Sequence, residues 1–439
     1  MPRPDRPNLI FLFTDQQSAT MMSCAGNRWL HTPAMDRLAA GGVRFDRAYC
    51  TDPVCVPSRF SLMTGRMPSA IGLRSNDSSH LPPIPEAITQ HGLGWLLRRA
   101  GYETVYGGKV HLPKKLSPTD IGFDVIARDE RDGLADACVE FIRRPHDRPY
   151  LLVGSFINPH DICYLAIRES QQDDKERWLV EHGRTEVATL DRALQRPDGV
   201  DEATFFAEHC PPVPPNFDPQ ADEPEAVRSL LARRPFRRRA REVWTERQWR
   251  LHRWAYARLT EFVDAQIARV LDAVEAAGAA ENTVIVFSSD HGDHDGSHRM
   301  EHKTAFYEEA CRIPLIIAQP GATAAGAVDA HLACNGLDLI PTLCDYAGVE
   351  PPTDLAGVSL RPLAEARPPG PWREQVHIES ELGRCLVTDR YKYMRYDQGA
   401  SAEQLMDLHT DPHETRNALA DPEHQAALAD LRRLFDGPG

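Results

Sequence analysis

Leu9-Ile-Phe-Leu-Phe-Thr14 runs straight into Asp15-Gln16, and Thr283-Val-Ile-Val-Phe-Ser-Ser289 runs straight into Asp290-His291. Both runs are short, apolar and rich in β-branched or aromatic residues, with little polar alternation. That pattern predicts strands buried on both faces. Two further runs end in the same abrupt way: Tyr102 to Tyr106 stops at Gly107-Gly-Lys109, and Tyr150-Leu-Leu-Val-Gly-Ser-Phe-Ile157 stops at Asn158-Pro-His160. Helical patterns such as Glu86 to Ala100 and Trp254 to Ala277 lie between them. Strands alternating with helices predict an α/β fold around a mostly parallel, doubly wound sheet. Ligands of such sheets bind beyond the carboxyl ends of the strands, so the four polar clusters are expected to meet at one edge.

The rest of the chain bounds this reading. Its 439 residues suffice for one large domain and a smaller companion. With 42% hydrophobic and 26% charged residues, wholesale disorder is excluded. The net charge of −14 argues against a general nucleic-acid binder, although a local basic pocket can still accept an anionic substrate. No window is long enough to span a membrane. The apolar stretch Asn8 to Thr14 is too short for a secretory core and lacks a small-residue cleavage site, and the ten cysteines show no paired zinc-type spacing. The expectation is a cytoplasmic protein with free thiols, no nucleic-acid or membrane partner, and an oligomeric state that the sequence leaves open.

Residues 1–360 are expected to form the catalytic α/β domain. Within it, 165–250 differ: they are charged, contain Pro211-Pro-Val-Pro-Pro-Asn216, and carry the run Arg233-Arg-Pro-Phe-Arg-Arg-Arg-Ala-Arg241. They are read as an insertion, part loop and part helix, over the sheet edge. The arginines are either a solvated helical face or a lid presented to an acidic substrate. In 361–439, Glu374 to Glu379 and Arg384 to Tyr396 suggest antiparallel strands. Glu423 to Phe435 suggests a closing amphipathic helix, with Pro422 at its first turn. Together they predict a small C-terminal α+β domain.

The most specific signal is Cys55-Val-Pro-Ser-Arg59, continuing Phe-Ser-Leu-Met-Thr-Gly-Arg66. Here the chain resembles the sulfatase family of the alkaline-phosphatase-like superfamily, whose hallmark is Cys-x-Pro-Ser-Arg followed by Thr-Gly. The resemblance extends from Asn8 to about Ala418. It implies that a separate formylglycine-generating maturation enzyme oxidises Cys55 to formylglycine. The chemistry gives a reason for that step. A hydrated aldehyde carries two hydroxyls on one carbon, so one can attack sulfur and the other can then collapse to the carbonyl and expel sulfate. Pro57 and Ser58 also suit a helix start, which would put the nucleophile at the positive end of a helix dipole.

The resemblance implies a metal set of Asp15, Gln16, Asp290 and His291 together with residue 55. Oxygen donors suit a hard cation such as calcium. Many sulfatases have Asp where this chain has Gln16 and Asn where it has His291. The variant found here is similar to choline sulfatases and phosphonate monoester hydrolases, and the imidazole leaves manganese or zinc open. Arg59, Lys109 and His111 (in Gly108-Lys-Val-His111) and Lys303 match positions that sulfatases use to hold the sulfate or orient the aldehyde hydrate. His160 in Asn158-Pro-His-Asp161 is the candidate general acid for an alkoxide leaving group. Asn76 is a candidate substrate contact beside Lys109, His160 and Lys303. His298 matches a loop histidine of the family, but Arg299 follows it where glycine is usual. Asp407-Leu-His-Thr-Asp-Pro-His-Glu414 resembles a C-terminal family element and is taken as structural.

The expected activity is sulfuric ester hydrolysis. The expected substrate is a carbohydrate or other small-molecule sulfate, with carbohydrate ahead of choline or aryl sulfate. The alternatives are a phosphonate monoester or phosphodiester hydrolase on the same scaffold, and a non-catalytic binder of sulfated ligands.

Overall fold

The structure is a computed structural model that describes residues 6–437. Its strands in chain order begin with β1 (Asn8–Asp15), β2 (Gly42–Phe45), β3 (Ala48–Tyr49), β4 (Glu103–Gly108) and β5 (Asp124–Ala127). They continue with β6 (Tyr150–Pro159), β7 (Thr283–Ser289), β8 (Leu315–Ala318), β9 (Ala327–Asp329) and β10 (Ala333–Cys334). The last four are β11 (Gln375–Ser380), β12 (Gly383–Thr388), β13 (Tyr391–Tyr396) and β14 (Glu403–Asp407). The central sheet has eight strands in the order β5-β4-β6-β1-β7-β8-β2-β9. From β5 to β7 every pairing is parallel. At the other end β8 runs antiparallel to both β7 and β2. The sheet is thus mostly parallel, with helices on both faces.

Side-chain alternation along β1 shows why the four apolar runs are strands. Leu9, Phe11 and Phe13 enter the core on one face, while Ile10 and Leu12 enter the core on the other. All five are fully buried. Burying side chains of this size is worth roughly 1.5–3 kcal/mol each, so a strand apolar at every position is stable only between two layers. On one face lies the 31-residue helix Glu246–Ala276, which starts at a capping box formed by Thr245 and Gln248. The pattern from Trp254 is therefore the continuation of an earlier helix, one that begins at its cap.

The pattern Glu86 to Ala100 is corrected by the structure. It forms two short helices, Glu86–Thr89 and Leu93–Arg99, broken at Gln90-His91-Gly92. Gly92 and Gly94 pass so close to Ile121 and Gly122 that added Cβ atoms would collide with them. The chain yields its helix there to a tight tertiary approach.

Residues 165–250 consist of short helices and loops, including Asp174–His182, Glu225–Ala232 and Pro235–Val243, and run at their end into the first turn of the long helix. Beyond them β11 to β14 form an antiparallel four-stranded sheet. The helix Gln425–Asp436 packs on it through Leu428, Leu431 and Phe435, after a single turn at Pro422–His424. No helix among the described residues is long and apolar enough to cross a membrane.

Candidate active site

Register brings the four polar clusters together. β6, β1 and β7 are adjacent parallel strands, and β4 lies beside β6, so Lys109, His160, Asp15 and Asp290 all leave the sheet at the same edge. Gly108 is required for this. Its φ is 88°, and a Cβ there would lie 2.1 Å from the Ser155 carbonyl oxygen. After it, the Lys109 N–H donates to that same carbonyl, which turns the lysine over the strand ends.

Cys55 is the first residue of the helix Cys55–Thr64 and is completely buried. Its Sγ lies 2.9 Å from Lys303 Nζ, 3.2 Å from His291 Nε2 and 3.7 Å from Asp15 Oδ1. Burial and Asp15 alone would raise the thiol, but Lys303, Lys109 and His291 outweigh them and hold it well below its ordinary value. The reciprocal effect raises Lys303: burial opposes its charge, and Cys55 and Asp15 overcome that penalty.

Behind Cys55 stands Arg59. Its Nε donates to Asp290 Oδ2 (2.7 Å) and its Nη2 to Asp15 Oδ2 (2.8 Å), while Nη1 donates to Ser155 Oγ and the Lys109 carbonyl. Its guanidinium also lies over the Phe13 ring, 4.9 Å from the centroid. Lys109 Nζ pairs with Asp15 Oδ2 at 2.7 Å. Burial would raise Asp15, but Lys109, His160, Arg59 and Lys303 hold it well below the usual carboxylate range. Asp290 moves the other way, raised first by burial and then by Asp15.

Ligand atoms of Asp15, Cys55, Asp290 and His291 all lie within 4.8 Å of one another. His291 Nδ1 faces the Gly292 carbonyl at 2.9 Å, which leaves Nε2 as the atom turned to the cluster. Two buried carboxylates press on one another here, and an imidazole nitrogen faces the same point. This donor set fits a divalent cation. The Gln16 carboxamide oxygen accepts from Lys303 Nζ at 2.6 Å, and its Nε2 donates to Asp293.

The other expected residues fall at the rim. His160 begins a short turn after β6, and its Nδ1 is sealed without a hydrogen-bond partner among the described residues. Burial, then Lys109, lowers it well below the ordinary imidazole value. His111 is exposed. Asn76 accepts from the Val56 N–H through Oδ1 at 2.9 Å, so it steadies the start of the Cys55 helix. His298 stacks on Tyr307 at 4.0 Å. Arg299 has a φ of 51°, the left-handed conformation in which glycine is easiest, and it is held there by Asp218 at 2.8 Å and by the Phe217 ring.

Sequence reasoning passed over the residues that hold Gln16. Tyr256, on the long helix, donates its hydroxyl to the Gln16 carbonyl at 2.6 Å, and Cys163 Sγ accepts from Gln16 Nε2 at 3.1 Å. Asp293 lies two residues beyond the Asp290-His291 strand end, but Tyr256 and Cys163 carry no local signal. Their roles arise from tertiary packing alone.

Comparison with known proteins agrees with this geometry. A family model described as Sulfatase matches residues 7–349, and one described as N-sulphoglucosamine sulphohydrolase, C-terminal, matches residues 296–436. The chain is similar to a delta 4,5-hexuronate-2-O-sulfatase of Bacteroides thetaiotaomicron, at 30% identity over 98% of this chain and 88% of that protein. It is also similar to an N-acetylglucosamine-6-O-sulfatase of the same organism, at 27% identity over 98% of this chain and 86% of that protein. A solved putative sulfatase from Bacteroides thetaiotaomicron superposes with a TM-score of 0.82 at 29% identity, covering 98% of this chain and 92% of that one. With its family model spanning most of the chain and its motif cysteine at the centre of the strand-end cluster, the protein belongs to the sulfatase family and is a sulfuric ester hydrolase.

Proposed function

We propose that this sulfatase cleaves a sulfate monoester of a carbohydrate, using an aldehyde made from Cys55 and one divalent cation, calcium first. The observation that carries the reading is the environment of Cys55. A single buried atom at a helix N-terminus is faced by Lys303, His291 and Asp15, with Lys109 and Arg59 immediately behind. The substrate class is supported by the sugar sulfates named for the two relatives.

Asp15, Asp290 and His291, with residue 55, would hold the cation, and Gln16 would complete the set. The cation would supply charge neutralisation on the sulfate oxygens and activation of the nucleophilic oxygen. The remaining work falls to the chain's own groups. Lys109 and Lys303, each less than a tenth exposed, lie against Asp15 and Cys55, where their ammonium groups can meet sulfate oxygens as charge develops. Arg59 is wholly engaged with the two carboxylates and Ser155, so its task is to fix Asp15 and Asp290 in place. His160 is kept neutral by burial and by Lys109. An arriving anionic sulfate favours its imidazolium, so protonation accompanies binding and readies a proton for the leaving oxygen. We take residues 1–360 as the catalytic unit and 361–439 as the smaller C-terminal unit. Maturation requires a separate formylglycine-generating enzyme.

The test is the mass of the Cys55 peptide from active protein, together with turnover of phenyl sulfate and a phenyl phosphonate monoester. Conversion lowers the mass by about 18 Da, or leaves it nearly unchanged when the aldehyde is hydrated. An intact thiol in protein that still turns over sulfate would sink the nucleophile assignment. Faster turnover of the phosphonate ester would move the protein to the phosphonate monoester hydrolase reading, which the Gln16 and His291 variant allows.

A further inference from the structure

The arginine run of Pro235–Val243 and its flank separates into members with different surroundings. Arg241 makes a two-pronged pair with Glu223, both bonds 2.9 Å, and Arg233 lies 3.6 Å from Glu381. Arg237 has no such partner among the described residues. Its Nε is sealed from solvent without a hydrogen-bond acceptor. The acidic groups whose charges reach it are Glu381 and Asp293. Glu381 is engaged with Arg233, and Asp293 with Gln16 and the Asp295 N–H. Burial draws the Arg237 guanidinium down to about 10. The side chain as a whole is only partly buried, and its sealed, unmet Nε costs stability.

Its placement is fixed by its neighbours. Phe236 and Ala240 are buried, the Phe236 N–H donates to Glu176 Oε1 at 2.9 Å, and the Phe236 ring packs on His302 at 4.9 Å. His302 immediately precedes Lys303, whose Nζ touches Cys55 Sγ. Cys163, also near Arg237, contacts Gln16. On the other side, Glu381 lines a cavity of about 330 Å³ together with Arg74, Arg233 and Asp397. Arg237 therefore lies between His302, on the flank of the reaction centre, and Glu381, on the wall of a charged cavity large enough for part of a sugar.

We propose that Arg237 is a specificity residue that pairs with a second anionic group, a carboxylate or a further sulfate, on the sugar that carries the reacting ester. This rests on the carbohydrate sulfatase reading above. A planar guanidinium suits either oxyanion through two parallel hydrogen bonds. Because Arg237 makes no internal pair among the described residues and is only partly buried, its open nitrogens can bond an oxyanion without first breaking an internal bond. A sugar with a single sulfate would leave it unmet, so the enzyme would favour substrates with two charges.

The test uses matured enzyme and four substrates: a sulfated uronic-acid disaccharide, the same compound with its carboxyl reduced to an alcohol, and a neutral disaccharide carrying one or two sulfates. The variant Arg237→Met keeps the packing stem and removes the charge, and Arg237→Lys asks whether a point charge suffices. Arg237→Met should lower kcat/KM about 10- to 100-fold more on a doubly charged substrate than on its singly charged counterpart. The pair that shows the difference identifies carboxylate or sulfate as the group read. Equal losses across all four, or no loss, overturn the proposal. If matured wild type cleaves none of the four, the carbohydrate sulfatase reading fails. Arg237 is then judged by calorimetric binding of the two uronic-acid compounds to the unmatured protein. Arg237→Met must weaken only the carboxylate form there, and equal affinities overturn it.

Discussion

Arg59 donates from Nε to Asp290 Oδ2 across 2.7 Å, with the arginine side chain 1% exposed and the aspartate 0%. Since the same guanidinium also holds Asp15, one cation spans the two carboxylates that would bind the metal. Arg59→Ala leaves both buried charges facing each other. The expected loss of stability is about 3–5 kcal/mol, read from urea unfolding of the unmatured protein. Added calcium should recover part of it. Arg59→Lys should recover little, because one ammonium cannot reproduce the fork. A loss within experimental error would show that the carboxylates rearrange freely.

His160→Ala should slow sulfates of sugars and alkyl alcohols far more than nitrophenyl sulfate, whose leaving group needs no proton. A loss on the order of 10² to 10⁴ is expected for the former. Steady-state kinetics on the two substrates measures it, and equal losses on both would remove the acid role.

Lys392, on β13, is fully buried and lies 3.0 Å from Glu308 Oε1 and 3.0 Å from Glu414 Oε1. It joins the C-terminal sheet to the segment just past the active-site loop and to the Asp407–Glu414 element. Lys392→Met should destabilise the protein by about 3–5 kcal/mol, because the buried Glu414 and the largely buried Glu308 lose the cation they share. Lys392→Met with Glu308→Gln should recover part of that. Thermal unfolding of both variants checks this, and a double variant no better than the single would show that the loss comes from packing.

Asp264 supplies a cap from a distant part of the chain. Its oxygens accept from the N–H groups of Ala34 and Met35 in the first turn of the helix Pro33–Gly41, where Thr32 makes no side-chain cap. Burial is the main cause that raises its carboxyl to about 6. The native group therefore keeps its proton between the unfolded value of 3.8 and about 6, where the unfolded chain has released it. The native state binds more protons in that window, so this group's contribution to stability declines as pH rises through it. Asp264→Asn should flatten that part of the stability profile. An unchanged slope would assign the pH dependence to other groups.

The strand-end clusters were legible because each needs only a local pattern: an apolar run, then Asp, Lys or His at its end. Cys55 to Arg59 was legible for a different reason, its resemblance to a family motif. The helix break at Gln90-His91-Gly92 was not legible, because the cause lies in the close passage of Ile121 and Gly122. The antiparallel turn of the sheet at β8 was equally hidden, since periodicity reports burial and is silent about direction.

By itself the sequence determined that this protein has an α/β core of strands buried on both faces, a Cys55 motif and acidic and basic side chains at successive strand ends. Those are properties of short stretches, fixed by periodicity and residue type. Only the tertiary structure decided which of them touch. Strand order set β1 between β6 and β7, so that Asp15 meets Asp290 and both meet Arg59. Packing of the long helix put Tyr256 on Gln16, and packing of the Pro235–Val243 helix placed Arg237 near His302 with no ion-pair partner among the described residues. Such pairings join residues far apart in the chain, and only the whole packed molecule brings them within bonding distance.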